Sequence, residues 1–262
     1  MRVLVVGAGN VGSEVARMLR TAGHEVTGTT TRRERLAEVE QAAGAAIILE
    51  GADPGSVARA AEDSDVVIVT VSPPVSGAMT PEQRAVTYRS VLVGTCSNVA
   101  EVADRVVFLS SISVYGQAGD GIVTESTPIA DTHEPAVVNF RGAEVAVLAA
   151  SGGCVLRAPD IYGHPNDIDF ATRVRFAHEY MGGSVPFAAD ARFNRLHHVD
   201  AARAVVHAVD ARLVGTYNVV PDHDWGANRE VFDRLAAEQG LAPLTFRDEI
   251  WTPRRPISSG RF

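Results

Sequence analysis

The sequence predicts an α/β fold: a doubly wound parallel sheet followed by a small C-terminal lobe. Three observations carry that expectation. Over the first 157 residues, short β-rich runs alternate with helical segments, the pattern of a sheet covered by helices on both faces. Asp65–Val71 is almost continuously apolar, as a strand buried on both faces must be. A glycine-rich turn, Gly7-Ala8-Gly9-Asn10-Val11-Gly12, joins the first strand to the first helix.

Taken in order, Arg2–Val6 reads as a strand and Val11–Ala22 as a helix. Glu25–Thr29 is the second strand and Arg33–Ala43 the second helix. Ala46–Leu49 is a third strand, with a short helix from Gly55 to about Ala61. After the apolar run Asp65–Val71, Pro81–Ala100 reads as helical. Thr80 supplies its hydroxyl cap, and Pro81 stands at the first helical position, where no N–H is needed. Arg105–Ser110 is the next strand, Pro135–Ser151 the next helix and Cys154–Arg157 a further strand. The polar stretch Gly116–Glu134 is too long for a simple turn and has the length of a lid or binding loop. Past Pro159 the alternation weakens, with turn signals at Gly163–Pro165, Gly182–Gly183 and Pro221–His223. Residues 1–157 are therefore expected to form a dinucleotide-binding core. Residues 158–262 are expected to form a substrate-facing lobe packed on that core, not clearly a separate domain.

The glycine-rich turn has a definite physical reading. Gly7 permits the tight turn, Gly9 lets the backbone approach a pyrophosphate, and Gly12 allows the helix to pack closely on the strand. The N–H groups of Asn10, Val11 and Gly12 then point a positive partial charge at an anion. This is the phosphate loop of a Rossmann-type fold. The second strand ends in Thr29-Thr30-Thr31-Arg32-Arg33, with hydroxyls and guanidiniums but no carboxylate. A carboxylate there bonds the ribose 2′-OH of NAD, whereas arginine accommodates the 2′-phosphate of NADP. NADP is thus the preferred cofactor, with NAD admissible. The other reading, that Arg32 and Arg33 merely begin an exposed helix, stays open.

Composition bounds the partners. The formal net charge of −8 disfavours nonspecific nucleic-acid binding, which needs a basic surface. No apolar run reaches membrane-spanning length, and the chain opens directly on a strand, so neither a membrane span nor a signal peptide is expected. Cys96 and Cys154 suit buried thiols in a reducing cytoplasm, and no metal-ligand spacing occurs. All 24 basic side chains counted as lysine or arginine are arginine; the chain has no lysine.

Further motifs follow in a fixed order: Phe108-Leu109-Ser110-Ser111-Ile112-Ser113-Val114-Tyr115-Gly116, Glu125-Ser126-Thr127-Pro128, Leu156-Arg157-Ala158-Pro159-Asp160-Ile161-Tyr162-Gly163, Arg195-Leu196-His197-His198-Val199-Asp200, and Gly215-Thr216-Tyr217-Asn218-Val219. With the phosphate loop, they resemble the extended short-chain dehydrogenase/reductases, specifically the NAD-dependent epimerase/dehydratase family, over about residues 1–220. Thr70-Val71-Ser72-Pro73-Pro74 matches in part a subgroup with Thr-Val-Pro-Pro after its fourth strand, which puts Val71 beside the cofactor. The resemblance implies a Tyr-x-x-x-Lys pair on the helix after the Ser-x-x-x-Tyr-Gly segment. There the tyrosine is acid/base, and the lysine holds the nicotinamide ribose and lowers the tyrosine's pKa. Aligned through Glu125, Pro135 and Glu144, these positions fall on Ala136 and Phe140. Since no lysine exists, no shift of register restores the pair. Arg141 neighbours the lysine position, but a guanidinium differs in length and shape. The family's catalytic Ser/Thr position corresponds to Ser111, which is retained.

The remaining candidates for chemistry are Tyr115, Tyr162 and His164, with Ser111. An unaided tyrosine, with a pKa near 10, is a poor base at neutral pH. Ser113, Phe187, Arg195 and His197 are candidates to contact substrate. For His197 a structural hydrogen-bonding role is the first reading, and Phe187, Phe193 and Trp225 read as core before they read as pocket walls. Asp131 and His133 on the loop read first as solvated. Glu50 and Asp53 cap a helix or approach the adenine. The expected protein is a biosynthetic enzyme that acts on a small or polyketide-like organic substrate by atypical redox or non-redox chemistry (cyclisation, dehydration or isomerisation). The alternative class is a non-catalytic NADP-binding sensor or interaction protein. A homodimer through the helices Pro81–Ala100 and Pro135–Ser151 is implied by the resemblance.

Overall fold

The structure, a computed structural model, describes residues 1–74, 79–117 and 121–262. Part of the polar stretch 116–134, residues 118–120, therefore lies outside the described residues. In chain order the elements are β1 (Arg2–Val6), α1 (Asn10–Thr21), β2 (Glu25–Thr30), α2 (Leu36–Ala43), β3 (Gly44–Ile48), α3 (Pro54–Ala61), β4 (Val66–Val69), α4 (Pro81–Tyr88), α5 (Thr95–Val102), β5 (Arg105–Ser111), α6 (Pro135–Ala149), β6 (Gly152–Ala158), β7 (Asp160–Tyr162), α7 (Phe170–Tyr180), β8 (Ser184–Phe187), β9 (Arg195–His197), α8 (His198–Asp210), β10 (Gly215–Asn218), α9 (Asn228–Glu238) and β11 (Thr245–Ile250).

These elements form two compact units. The first comprises Met1–Ser111, Thr132–Arg157 and His198–Tyr217; the second comprises Ile112–Asp131, Ala158–His197 and Asn218–Phe262. The first unit holds a seven-stranded sheet in the order β3-β2-β1-β4-β5-β6-β10. The pairs β1–β2, β1–β4, β2–β3 and β4–β5 are all parallel. The strand order reverses direction between β1 and β4, which creates the crevice where open α/β sheets bind ligands.

Local sequence explains why each element forms. Every residue of β4, Val66-Val67-Ile68-Val69, is buried, as its apolar run requires. Helix α1 buries Val11, Val15, Ala16 and Leu19, a stripe at helical spacing. Gly28 on β2 is needed for close packing, because a Cβ there would sit 2.6 Å from Val39 Cγ1 of α2. Asp53 caps α3 by accepting from the Gly55 N–H at 3.2 Å. Thr80 and Gln83 form a reciprocal capping box at the start of α4.

The helix expected over Pro81–Ala100 is interrupted. A π-helical turn, Arg89–Gly94, separates α4 from α5 and turns Leu92 fully inward. Helix α6 packs against this turn at Gly142, where an added Cβ would meet Val93 Cγ2 at 3.0 Å. The π turn leaves the helical stretch continuous and changes only which residues face inward, so the sequence reads as a single helix.

The second unit has two small parallel pairs, β7–β9 and β8–β11. Its core joins Val174 and Ala177 of α7, Val185 of β8, Phe193, and Val231 and Phe232 of α9. The loop after β5 is anchored within this unit rather than free. Tyr115 Oη donates to Asn218 Oδ1 at 2.7 Å, and the Asn218 N–H donates to Glu125 Oε1 at 2.8 Å. Val123 bridges to Ile257, with Val123 N–H to Pro256 O at 2.9 Å and Ser258 N–H to Val123 O at 2.8 Å.

Candidate nucleotide-binding site

The turn from β1 to α1 is built by its glycines. Gly7 has φ +90°, a left-handed conformation that disfavours a side chain, and a Cβ on it would lie 2.9 Å from Val71 Cγ1. Its N–H donates to Thr29 Oγ1 at 3.0 Å, and its carbonyl accepts from Thr70 Oγ1 at 2.9 Å. Gly12 faces inward, where a Cβ would meet Gly7 O at 2.4 Å and Thr70 Oγ1 at 2.5 Å. Gly9 is different. A Cβ there would find only Gly7 O, at 3.9 Å, so open space lies beside it. The helix that follows has Gly9 as its N-cap, no side-chain cap and no acidic residue in its first turn. Such an N-terminus presents its amides and positive dipole end outward. Asn10 is exposed, whereas Val11 and Gly12 are buried.

At the end of β2, Thr30 is buried and its Oγ1 accepts from the Arg32 N–H at 3.1 Å. Arg32 and Arg33 are both exposed, and among the described residues neither guanidinium forms an ion pair. Arg35, by contrast, is engaged by Glu38 at 2.6 Å, which holds the arginine's pKa above its ordinary value.

Helix α6 starts at Pro135, capped by Glu134, which accepts from the Val137 N–H at 2.8 Å. Ala136 and Phe140, one turn apart, are both half-buried. The Phe140 ring stacks on Phe108 of β5 with centroids 6.4 Å apart and planes at 26°. Phe140, Val71 and Tyr88 all pack against the same core cluster of this unit. Tyr88 drew no attention in the sequence. Burial pushes its pKa up, and the nearby Glu134 charge adds to the effect, against a smaller opposing pull from Arg84. That is the wrong direction for a tyrosine acting as a base near neutral pH.

Ser111 ends β5 and is half-buried. Beneath it lies a fully buried polar cluster that sequence reasoning used only for alignment. Glu144 of α6 receives Arg157 of β6 through two bonds, Nε to Oε1 at 3.0 Å and Nη2 to Oε2 at 2.7 Å. Ser110 Oγ donates to the same carboxylate at 2.6 Å. Glu144 and Arg157 are 2% and 4% exposed, so each charge depends on the other for compensation.

The other predicted residues belong to the second unit. Tyr115 is 1% exposed, and its hydroxyl is engaged by Asn218. Ser113 is half-buried on the short 3₁₀ turn Ile112–Tyr115. The unit brings Tyr162, His197, Arg195 and Phe187 into one neighbourhood. Tyr162 meets the His197 ring edge-on at 5.4 Å, and His197 fills the space beside Gly163, where a Cβ would meet its Nε2 at 2.4 Å. The Arg195 guanidinium lies 4.4 Å from the Phe193 centroid and 5.4 Å from that of Phe187. Its Nε is 3.2 Å from Asp160 Oδ2, close enough for an ion pair but without hydrogen-bond alignment. Burial draws the Arg195 pKa down, Asp160 offsets part of this, and Arg173 adds to the lowering. His164 follows Gly163 in a hydrogen-bonded turn of its own. Its N–H donates to Asp167 Oδ2 at 3.1 Å, and its Nδ1 accepts from the Asn166 N–H at 3.2 Å. In the neutral ring the proton therefore sits on Nε2.

Among the described residues no cluster of three His, Cys, Asp or Glu side chains could hold a metal, and no helix is long and apolar enough to cross a membrane.

Comparison with solved structures finds the same fold in several proteins. WbmH of Bordetella bronchiseptica, solved with NAD+, is 21% identical, with a TM-score of 0.73 covering 99% of this chain and 90% of that one. A double mutant of DesIV, a dTDP-glucose 4,6-dehydratase from Streptomyces venezuelae solved with NAD, is 20% identical with a TM-score of 0.76, covering 100% and 89%. A dTDP-4-dehydrorhamnose reductase from Clostridium acetobutylicum is 18% identical with a TM-score of 0.73, covering 98% and 89%. At such identities the likeness is one of fold. No curated protein matches the sequence. The family model of the NAD dependent epimerase/dehydratase family matches residues 3–220, and the chain belongs to that family.

Proposed function

We propose that the chain is an NADP-preferring enzyme that transforms a small, partly apolar organic substrate without the tyrosine–lysine pair of its family. One combination carries this reading: a turn shaped for a pyrophosphate, in a chain that contains no lysine.

The adenosine half of the cofactor fits the residues present. Gly7, Gly9 and the amides of Asn10, Val11 and Gly12 would hold the pyrophosphate, with Val71 as a wall. Thr30, Arg32 and Arg33 would surround the ribose and its 2′-phosphate, and the two exposed guanidiniums, without an ion pair among the described residues, favour NADP over NAD. The NAD complexes of the fold neighbours support a nicotinamide dinucleotide in general. The nicotinamide half does not find the family's partners, since Ala136 and Phe140 offer neither an acid/base nor a cation.

When bound, the nicotinamide supplies a hydride donor or acceptor. With no lysine to lower a tyrosine's pKa, we favour a non-redox step such as cyclisation, dehydration or isomerisation. Holding a substrate in a reactive conformation can by itself supply several kcal/mol, about 7 or more at best, so a dyad is not indispensable. Ser111 is assigned as a hydrogen-bond donor to a substrate oxygen. In the second unit, Tyr162 and His164 are assigned to proton transfer, with Nε2 of His164 carrying the mobile proton. Ser113, Phe187, Arg195 and His197 are assigned to substrate contact. Tyr115 is assigned a structural role, because its hydroxyl is committed to Asn218. A homodimer through α4 and α6 belongs to the same proposal, supported by exposed Val86, Val145 and Leu148.

The test follows nicotinamide absorbance while the protein and NADPH are incubated with small aldehydes, ketones and enones, with products assayed in parallel without cofactor. The expected result is product with no change in absorbance. Stoichiometric consumption of NADPH would overturn the non-redox reading. Failure of both NADP+ and NAD+ to bind would overturn the cofactor reading.

A further inference from the structure

We infer that this dinucleotide site recognises the adenosine-diphosphate half of its ligand alone, so that oxidised cofactor, reduced cofactor and the nicotinamide-free nucleotide bind alike. The inference rests on the cofactor reading proposed above and adds which half of the ligand is held.

Among the described residues, the amide and guanidinium features suited to the ligand lie at one end. The open space beside Gly9, the start of α1 without a side-chain cap, and the exposed Arg32 and Arg33 all suit the pyrophosphate and the adenosine ribose. Charge-assisted contacts of this kind are the strong ones, and they concentrate binding there.

The other end is apolar. Phe140 packs on the core cluster that contains Phe108. Residues four apart share a helix face, so Ala136 and Phe140 present a methyl group and a phenyl ring along one stripe of α6. Arg141 is the next residue and lies about 100° around the helix, off that stripe. The buried charge below is neutralised, because Glu144 is bound at both oxygens by Arg157. Neither Ala136 nor Phe140 carries a charge to distinguish a cationic nicotinamide ring from a neutral one. Ribose hydroxyls set against a phenyl ring keep their water partners and contribute little to affinity.

Isothermal titration of the full chain with NADP+, NADPH and 2′-phosphoadenosine 5′-diphosphate separates the cases. The expected dissociation constants agree within about threefold. An intact cofactor binding about thirtyfold or more tighter than the nucleotide, or the two redox states differing by about tenfold, would overturn the inference while leaving the cofactor reading intact. If none of the three binds, the cofactor reading fails, and the inference with it. Phe140→Lys supplies a second arm. It is expected to tighten both intact cofactors about tenfold and leave the nucleotide unchanged. Equal tightening of all three would contradict the account, and if this variant does not fold, the wild-type comparison decides.

Discussion

Phe140 of α6 and Phe108 of β5 stack with ring centroids 6.4 Å apart, which ties the helix that follows the Ser-x-x-x-Tyr-Gly segment to the centre of the sheet. Phe108 is fully buried and Phe140 partly so. Phe140→Ala should therefore cost about 2 kcal/mol, less than the roughly 3–5 kcal/mol of a fully buried aromatic. Urea denaturation measures it; a change near zero would mean that the ring does not support the core.

Gly9 and Gly12 separate binding from folding. Gly9 has φ −86° and open space beside it, so Gly9→Ala should change stability by less than about 0.5 kcal/mol. Its methyl group would nevertheless stand where a pyrophosphate approaches, and NADP+ affinity should fall about tenfold or more. Gly12→Ala would place a Cβ against Gly7 O and Thr70 Oγ1, and should destabilise the fold itself. Thermal melts and titration on both variants check this; equal NADP+ affinity in Gly9→Ala would count against the loop as the ligand site.

The pair Glu144–Arg157 should behave as a unit. Removing one partner, as in Glu144→Ala, leaves a buried uncompensated charge and should cost roughly 3–5 kcal/mol. Replacing both, as in Glu144→Leu with Arg157→Met, should cost much less than the sum of the single changes. A double-mutant cycle in denaturant gives the coupling, and additivity would contradict the buried pair.

Arg32→Ala with Arg33→Ala should weaken NADP+ about tenfold while leaving NAD+ nearly unchanged, because only the 2′-phosphate loses its partners. Loss of both affinities in parallel would show that the arginines act on something common to the two ligands.

Much of this molecule could be read from the chain. β1 and β4 are apolar runs with no competing pattern, and the turn Gly7–Gly12 has the geometry its glycines imply. The helix over Pro81–Ala100 was less legible, since a π turn keeps the apolar pattern while shifting which residues face inward. The partnership of Glu144 with Arg157 joins a helix to a strand thirteen residues on, and no local spacing announces such a contact. The bridge from Val123 to Ile257 is more remote still. Tyr88 escaped notice because a tyrosine's environment, not its position, sets its pKa.

The most direct measurement is a crystal structure of the chain grown with NADP+. The account predicts the pyrophosphate on the amides of Asn10–Gly12, the 2′-phosphate at Arg32 and Arg33, and the nicotinamide ribose beside Ala136 and Phe140 with no cation or tyrosine hydroxyl in reach. A pyrophosphate bound elsewhere, or a tyrosine and a guanidinium closing together on that ribose, would contradict it.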